Sequence, residues 1–415
     1  MTLHMADQHS AYRQLGGEGG FQVAFSRSFE IHRGADVVSS CQMQVATTTP
    51  QSPSATQSPA KASIPQRYLA LDAYRGFIMI ILTSGGFGLA ALAQRRPEFL
   101  GLANQFEHMP WEWIAFWDLI QPAFMFMVGV AMPFALANRM AKGDTRRQLF
   151  LHVASRSFRL ILWCQILGSI DEGKLNFQII NVLAQIGITY FLCYLIMQLK
   201  FRWQAVVAVL ILAGHWALFV AFPGTEGPFL SKTTNIGAVI DTWVFGHPNP
   251  DNWTNINFLT STVTTLFGVW TGQLLQSQRT HLEKMRIIAI SAVACLLVGL
   301  AIHPWNPIVK RICTTSFTIY STGWILLMLL GFYWVVEVKG YRKWTFPFVV
   351  VGANCIFIYS VAHVLHEWID RAVGVFTLRF SWLGDFASVG QSCAVLLAMW
   401  WMCYWLYQRK ILFKL

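Results

Sequence analysis

The sequence predicts an all-α protein built as a polytopic bundle of transmembrane helices. Hydrophobic residues make up 55% of the 415 positions, whereas charged residues make up only 12%, against about 25% in soluble globular domains. So few charges cannot cover a water-exposed surface, which excludes an ordinary cytosolic enzyme and a disordered chain. Apolar runs of bilayer-spanning length also recur from residue 69 onward.

Ten apolar runs define the predicted spans. They are too long for the strands of a membrane barrel, which need about 10 residues of alternating polarity. Helices remain, because they satisfy their own backbone hydrogen bonds inside lipid. The predicted limits are 69–93, 114–138, 149–170, 179–199, 203–222, 258–276, 287–303, 313–336, 346–366 and 382–407.

The first 66 residues break this pattern. They are rich in Ser, Thr, Gln and Ala, and the stretch 47–65 has no apolar period. They also lack an apolar run of signal-peptide length. We therefore predict a disordered polar tail over residues 1–66 and a transmembrane domain over residues 67–415.

Basic residues in the loops predict the orientation, because cytoplasmic loops carry an excess of Lys and Arg. One set of alternating loops and tails holds fifteen such residues in short stretches, and the other holds eight in longer loops. Both termini are therefore expected in the cytoplasm, with the protein in the inner, cytoplasmic membrane. The net charge of +11 is then a topology signal and an attraction to anionic membrane lipid. Because no basic patch is interleaved with exposed aromatics, no nucleic-acid partner is expected.

The segment 105–129 contains the main catalytic candidates. His108 lies just before the second span, and Asp118 lies about one turn inside it. A neutral imidazole beside a buried carboxylate is a general-base arrangement. Ten residues of continuous helix would hold the two about 15 Å apart, so contact requires a turn, which Pro110 can supply. The alternative is a loop histidine with a structural role.

Arginines in the first and third spans are candidates for binding an anion, because charged groups inside a membrane are costly. Asp72 and Arg75 are three residues apart and can form a structural ion pair on one helix face. Arg156 and Arg159 repeat this spacing. Their predicted partners are buried carboxylates or the phosphates of a cytoplasmic ligand, which Arg binds well; a purely structural role is the alternative.

Polar residues of the ninth span suggest the wall of a cavity. Asn354 lies near its middle, and His363 and His366 lie towards its outer end. The order HVLHE differs from the HExxH zinc motif, and the eight cysteines form no CxxC pair, so no metal is expected. At this point the residues alone leave an enzyme and a transporter open.

Seven motifs follow one another along the chain. They are RYLALDAYRG (67–76), HMPW (108–111), DLIQPAFMFMVG (118–129), NVLAQIGITYF (181–191), INFLTSTVTTLFGVWTGQLL (256–275), CTTSFTIYSTGW (313–324) and FPFVVVGANCIFIY (346–359). Together, and in this order, they resemble the transmembrane acetyltransferases of the heparan-alpha-glucosaminide N-acetyltransferase type and their bacterial homologues. The resemblance covers about residues 67–366.

The resemblance implies an enzyme that moves an acetyl group from cytoplasmic acetyl-CoA to a sugar on the other side of the membrane. It implies a catalytic role for His108, and its motif residues also match Asp118 and Asn354, which we predict to be catalytic residues that orient groups around His108. We predict donor binding by Arg75, Arg156 and Arg159, because these are the cations available in the cytoplasmic half of the bundle. Trp111, His363 and His366 are assigned to the substrate, and Asp72 and Pro122 to structure.

The sequence therefore predicts a membrane acyltransferase that modifies a glycan, using acetyl-CoA as co-substrate. The expected acceptor is an amino sugar or a sugar hydroxyl, and a homodimer is compatible with this prediction. The alternative is a proton-coupled transporter or lipid flippase that uses the same Asp, Arg and His residues as a proton relay. Its mark would be an internal repeat of broken helices, and no convincing repeat is found.

Overall fold

A computed structural model describes residues 68–175, 177 and 179–413. Over these residues the regular structure is helical, and the one strand-like pairing is a single antiparallel bridge between Glu112 and Val309. The prediction of an all-α fold is thus confirmed for this part of the chain. The predicted polar tail, residues 1–66, lies outside the described residues.

Fifteen α-helices occur in the described ranges, joined by loops and short turns of 3₁₀-helix. They are α1 Leu69–Thr83, α2 Leu89–Arg95, α3 Leu100–Ala103, α4 Ile120–Ala141, α5 Arg146–Glu172, α6 Val182–Ile196, α7 Phe201–Ala221, α8 Ile236–Phe245, α9 Phe258–Gln276, α10 His281–Ile302, α11 Thr315–Tyr333, α12 Phe346–Ala353, α13 Cys355–Val364, α14 His366–Thr377 and α15 Ala387–Gln408.

Five helical segments of the described chain are long and apolar enough to cross a membrane, and two bent pairs raise the number to seven if each pair is one span. The first pair bends by 48° after Thr83, and the second bends by 68° at Asn354. The five are Phe116–Ala141, Phe201–Ala221, His281–Ile302, Thr315–Val338 and His366–Gln408.

The other predicted spans fall on α5, α6 and α9, which do not meet the same criteria of length and apolarity. Arginines lower the apolarity of α5, α6 has only 15 residues, and threonines lower the apolarity of α9. The structure therefore indicates a multi-pass membrane protein. The number of ten spans and the cytoplasmic termini stay predictions.

Helices α4 and α9 form the centre of the bundle and touch through glycines. A Cβ atom added at Gly129 would lie 1.9 Å from the carbonyl oxygen of Thr265, and one added at Gly268 would lie 2.0 Å from that of Phe126. Backbones this close require glycine on both helices, as in the small-residue interfaces of membrane helices. This contact fixes α4, and the segment that leads into α4 contains the candidate site.

The outer helices of the bundle expose their apolar side chains. Over the most apolar 18 residues of each span, the buried share is 72% for the span that contains α4, 28% for α7 and 17% for α10. An apolar helix with so much exposed surface needs an apolar solvent. Helices α7 and α10 therefore face lipid, and the polar groups collect between α4, α9 and the loops above them.

Candidate active site

Two distant loops pair at one end of α4 and create the site. The backbone N–H of Trp113 donates to the carbonyl of Ile308 at 2.8 Å, next to the bridge between Glu112 and Val309. Residue Trp113 has φ +72°, a left-handed conformation that is strained for an aromatic residue. The pairing holds the segment that precedes α4 against the segment that precedes α11.

Asp118 is the centre about which the first loop folds. Its side chain is 1% exposed, and its Oδ2 accepts hydrogen bonds from the backbone N–H groups of Ala115, at 2.9 Å, and Met109, at 3.2 Å. Its Oδ1 lies 2.7 Å from Nδ1 of His108. A buried carboxylate needs several donors to offset its lost hydration, and the loop wraps round to supply them.

The contact between His108 and Asp118 determines which imidazole nitrogen is free. A carboxylate has no proton to give, so Nδ1 carries the hydrogen and donates it to Oδ1. The other ring nitrogen, Nε2, then keeps its lone pair. Since the side chain of His108 is 39% exposed, Nε2 can accept a proton from a reactant.

Lys310 joins this pair from the second loop. Its side chain is 7% exposed, and its Nζ lies 3.3 Å from Oδ1 of Asp118 and 3.1 Å from Nδ1 of His108. Because Nδ1 already donates to the carboxylate, the ammonium cannot also donate to it. Lys310 is therefore paired with Asp118, and it also lies 5.2 Å from the ring centroid of Trp253.

Burial changes the proton affinities of both basic groups. It lowers the pKa of His108 below its ordinary value, and the nearby Lys310 charge acts in the same direction, against the hydrogen bond to Asp118. Burial also lowers the pKa of Lys310 to about 8, although Asp118 opposes this shift. Near neutral pH, His108 is therefore an uncharged base and Lys310 remains mostly a cation.

A small cavity opens beside Lys310. Its polar lining includes Asn257, Ser261, Thr264 and Lys310. Its apolar lining includes Pro122 and Phe317, both from helices of the bundle. Of the residues in contact around Asp118, Lys310 lines this cavity, together with several hydroxyl and amide groups.

Two acetyltransferases are similar to this chain. The human heparan-alpha-glucosaminide N-acetyltransferase is 23% identical over 428 residues, which cover 85% of this chain and 61% of that protein. The mouse enzyme of the same name is 22% identical, with 86% and 62% covered. The chain is a distant relative of these acetyltransferases. It spans about three fifths of their length, and no protein-family model matches it.

Trp111 and Pro122 are both buried, and they have different surroundings. Trp111 donates from Nε1 to the carbonyl of Phe229 at 2.8 Å and packs in a cluster with Phe219 and Ile256. It ties three loops together, and its predicted role towards the substrate stays a prediction. Pro122 lines the cavity, so its predicted structural role includes shaping the site.

Arg75 and Asp72 form the ion pair that their spacing allows. The guanidinium lies 3.3 Å from the Asp72 carboxylate and donates to the carbonyl of Gly352 at 2.5 Å. The pair therefore links α1 to α12. The predicted structural role of Asp72 fits this contact, and donor binding by Arg75 stays a prediction.

Arg156 and Arg159 lie on α5. The guanidinium of Arg156 stands 4.8 Å above the ring centroid of Tyr190, and Arg159 is exposed with its Nε donating to the Ser155 carbonyl at 3.3 Å. A ring and a backbone carbonyl do not neutralise a guanidinium, so both side chains keep a positive charge that could bind an anion. Their role towards a donor is untested.

Asn354 contacts the C-terminal segment of the chain. Its Nδ2 donates to the carbonyl of Ile411 at 3.2 Å, and its Oδ1 accepts from the N–H of Phe413 at 2.9 Å. The side chain is fully buried at the bend between α12 and α13. Both ends of the amide are thus engaged by backbone groups, and the catalytic role of Asn354 stays a prediction.

His363 and His366 lie on different helices and have different surroundings. His363 stacks on Tyr359 and lies 3.9 Å from the Asp171 carboxylate, whereas His366 begins α14. Substrate binding by both stays a prediction. Within the described ranges no group of three or more His, Cys, Asp or Glu residues is arranged to hold a metal ion.

Lys310 is absent from the site residues predicted from the sequence, in which it is one of the loop cations. It is surrounded in sequence by Ile308, Val309 and Ile312. Lysine among apolar neighbours is seldom buried unless it has a partner. That context was the available signal, but the partner lies 192 positions away in the chain, at Asp118.

Proposed function

We propose that this chain is an integral-membrane acetyltransferase that transfers an acetyl group from acetyl-CoA to an amino sugar or a sugar hydroxyl. The observation that carries the proposal is the 2.7 Å contact between His108 and Asp118 in a part-exposed site next to a polar cavity. The names of the two relatives support the acetyl group as the transferred unit.

The His108 imidazole provides the base that this reaction needs. An amine or hydroxyl attacks a thioester only after losing its proton or while losing it, and a positioned base contributes about 10²–10⁴-fold. In a direct route, Nε2 of His108 takes this proton. In a two-step route, Nε2 first accepts the acetyl group and then passes it to the acceptor. The Asp118 hydrogen bond orients the ring in both routes.

The proposed reaction crosses the membrane. Acetyl-CoA approaches from the cytoplasm, where Arg75, Arg156 and Arg159 bind its phosphates, and the glycan acceptor approaches His108 from the outer side. The positions of Lys and Arg in the loops support this direction. The protein acts in the inner membrane in contact with anionic lipid, and a homodimer is consistent with this arrangement.

The test uses the full chain reconstituted in lipid vesicles with radiolabelled acetyl-CoA and glucosamine-terminated acceptors. The wild-type chain is expected to label the acceptor. His108→Ala is expected to cut the rate by at least about 10²-fold, the lower range for loss of a general base, while acetyl-CoA binding stays almost unchanged. His247→Ala is the matched control, because His247 is an exposed loop histidine whose Nδ1 contacts only the Pro248 carbonyl.

Two results would contradict the proposal. Full activity in His108→Ala would remove His108 from the chemistry. If no acceptor becomes labelled while a solute crosses the vesicle membrane in a proton-dependent manner, the transporter hypothesis replaces the acetyltransferase.

A further inference from the structure

We infer that Trp253 belongs to the acceptor site and contacts the sugar ring whose amine or hydroxyl reaches His108. This inference rests on the proposed acetyltransferase function and adds a residue that determines acceptor specificity. It follows from three observations. The indole of Trp253 contacts the imidazole of His108, a neighbouring segment holds the indole in place, and the indole N–H has no partner in the described part of the chain.

The side chain of Trp253 lies against that of His108. Their ring centroids are 5.4 Å apart and their planes make an angle of 74°, so the edge of one ring meets the face of the other. Both side chains are accessible, since His108 is 39% exposed and Trp253 is only partly buried. An acceptor group at Nε2 of His108 that belongs to a six-membered sugar ring therefore brings the rest of that ring beside the indole.

Arg311 holds the backbone on both sides of Trp253. Its guanidinium donates to the carbonyl of Asp251, and its own carbonyl accepts from the N–H of Thr254 at 3.2 Å. The Arg311 guanidinium and the Lys310 ammonium also stand 5.3 and 5.2 Å from the indole centroid, within the range of cation–π contacts. The indole is thus in place before an acceptor arrives, and such preorganisation lowers the cost of binding.

The indole N–H of Trp253 is a donor without an acceptor among the described residues. Other indoles of the chain donate to a protein oxygen, namely those of Trp111, Trp163, Trp270 and Trp400. Such pairing is usual for a buried indole, and an unpaired donor calls for an explanation. Beside the base, this N–H is free to donate to a hydroxyl or to the ring oxygen of a sugar.

These features fit an acceptor that is a ring rich in hydroxyl groups. Sites for small organic molecules combine aromatic side chains with a few well-placed polar groups. Trp supplies a large, rigid apolar surface and one donor, which match the C–H groups and the oxygens of a sugar. A short acyclic amine reaches His108 without needing the indole. Trp253 is therefore expected to distinguish a sugar from an acyclic amine.

Trp253→Ala tests this in the full chain, reconstituted in lipid vesicles. Glucosamine and ethanolamine both carry an amine next to a carbon with oxygen, but only glucosamine has the ring. The KM for glucosamine is expected to rise about tenfold, the equivalent of about 1.4 kcal/mol, while kcat and the KM for ethanolamine change little. Trp253→Phe keeps a ring but loses the N–H, so it is expected to recover part of the affinity. Trp243→Ala is the matched control, because Trp243 is 86% exposed on α8.

Radical footprinting of the wild-type protein reports on Trp253 without any substitution. The purified chain is exposed to hydroxyl radicals, and the oxidation of each tryptophan is followed by peptide mass spectrometry. With glucosamine at about ten times its dissociation constant, only about one molecule in eleven is free, so oxidation of Trp253 is expected to slow about tenfold. Ethanolamine is expected to give no protection. Trp243 is the internal control and is expected to react at an unchanged rate.

The outcomes separate this inference from the proposed function. If wild-type protein acetylates glucosamine while the footprint of Trp253 and the KM of Trp253→Ala stay unchanged, Trp253 is not part of the acceptor site. If Trp253→Ala lowers kcat equally for both acceptors at unchanged KM, Trp253 positions His108 and does not bind the sugar. If wild-type protein neither binds acetyl-CoA nor acetylates an acceptor, the proposed function fails, and this inference fails with it. The footprint needs no variant, so it decides even where Trp253→Ala does not fold.

Discussion

Nδ1 of His108 lies 2.7 Å from Oδ1 of Asp118, and this one contact links the folding of a loop to the protonation of a base. The same carboxylate accepts hydrogen bonds from Met109 and Ala115. The group that orients the imidazole therefore also holds the backbone on both sides of the turn. Any change at Asp118 is expected to affect the geometry of the loop and the tautomer of His108 together.

Asp118→Asn is predicted to lower the acetyl-transfer rate constant about 10²–10⁴-fold, the range that a positioned base contributes. An amide has the size of the carboxylate but can donate to Nδ1, which turns the imidazole to the wrong tautomer. The rate is measured at saturating donor and acceptor, and a thermal unfolding scan checks that the variant is folded. Asp241→Asn serves as a control, because Asp241 is also buried but its carboxylate accepts hydrogen bonds from Asn255 and not from a histidine. Equal rates in the Asp118→Asn variant and wild type would show that Asp118 does not orient the base.

The pH profile of transfer is predicted to have two limbs. Activity requires neutral His108 and rises with pH through a value below the ordinary histidine pKa of about 6.5, because burial lowers that pKa. Activity is also expected to depend on cationic Lys310, because its ammonium pairs with the Asp118 carboxylate that orients His108, and burial lowers the pKa of Lys310 to about 8. The rate therefore falls as the pH rises through about 8, where the ammonium loses its proton.

Lys310→Arg isolates the alkaline limb of that profile. Arginine keeps its charge at every accessible pH, so the variant is expected to show no decline near pH 8, even if its rate is lower overall. The acceptor amine titrates identically in both proteins and cancels in the comparison. An alkaline limb that persists unchanged in Lys310→Arg would assign it to another group.

The sequence predicted much of the helical fold, because apolar runs identify helices by composition alone. All ten predicted runs overlap helices of the structure. The bends at Gly85–Gly88 and Asn354 were not anticipated, because whether a span breaks depends on what packs against it. The contact of His108 with Asp118 could be predicted from the sequence, because both residues lie near one turn.

The contact of Lys310 with the same carboxylate could not be predicted from the sequence. Lys310 and His108 are 202 positions apart, and only the pairing of two loops brings them together. The position of Asn354 illustrates the same limit, because its partners are backbone groups of Ile411 and Phe413. Residues of almost any type supply such backbone groups, so the sequence does not indicate which residues will bind Asn354.

The arginines of α5 are predicted to bind donor phosphates. In the double variant Arg156→Gln, Arg159→Gln, the dissociation constant of coenzyme A is expected to rise by about 10- to 150-fold for each lost contact, or about 1.5–3 kcal/mol. Titration calorimetry on the purified chain measures it. Arg202→Gln, at an exposed position of α7, is the control for loss of a surface charge. Normal affinity in the double variant would leave the two residues with internal contacts such as that of Arg156 with Tyr190.

Gly129→Ala is predicted to destabilise the bundle by about 1–3 kcal/mol, the usual cost of overpacking. The new methyl group would lie 1.9 Å from the Thr265 carbonyl oxygen, so α4 and α9 must separate. Gly331→Ala on α11 is the matched control, because nothing lies within 4 Å of its added Cβ, and a helical alanine in open space tends to stabilise. The midpoint of thermal unfolding in detergent compares the two. Equal midpoints would contradict the close packing of α4 and α9.

The orientation in the membrane is predicted to place residues 100–108 outside and residues 140–146 and 339–343 in the cytoplasm, because the latter loops are rich in Lys and Arg. Single cysteines at Glu107, Lys142 and Tyr341, introduced in a variant without the native cysteines, test this. All three positions are exposed, so a membrane-impermeant thiol reagent added to intact cells is expected to label only Glu107→Cys, and permeabilised cells are expected to be labelled at all three. Labelling of Glu107→Cys only after permeabilisation would put His108 on the cytoplasmic side, where it meets the donor instead of an external glycan. In that case an acceptor inside the cell would have to replace the one proposed, while the chemistry of His108, Asp118 and Lys310 would stand.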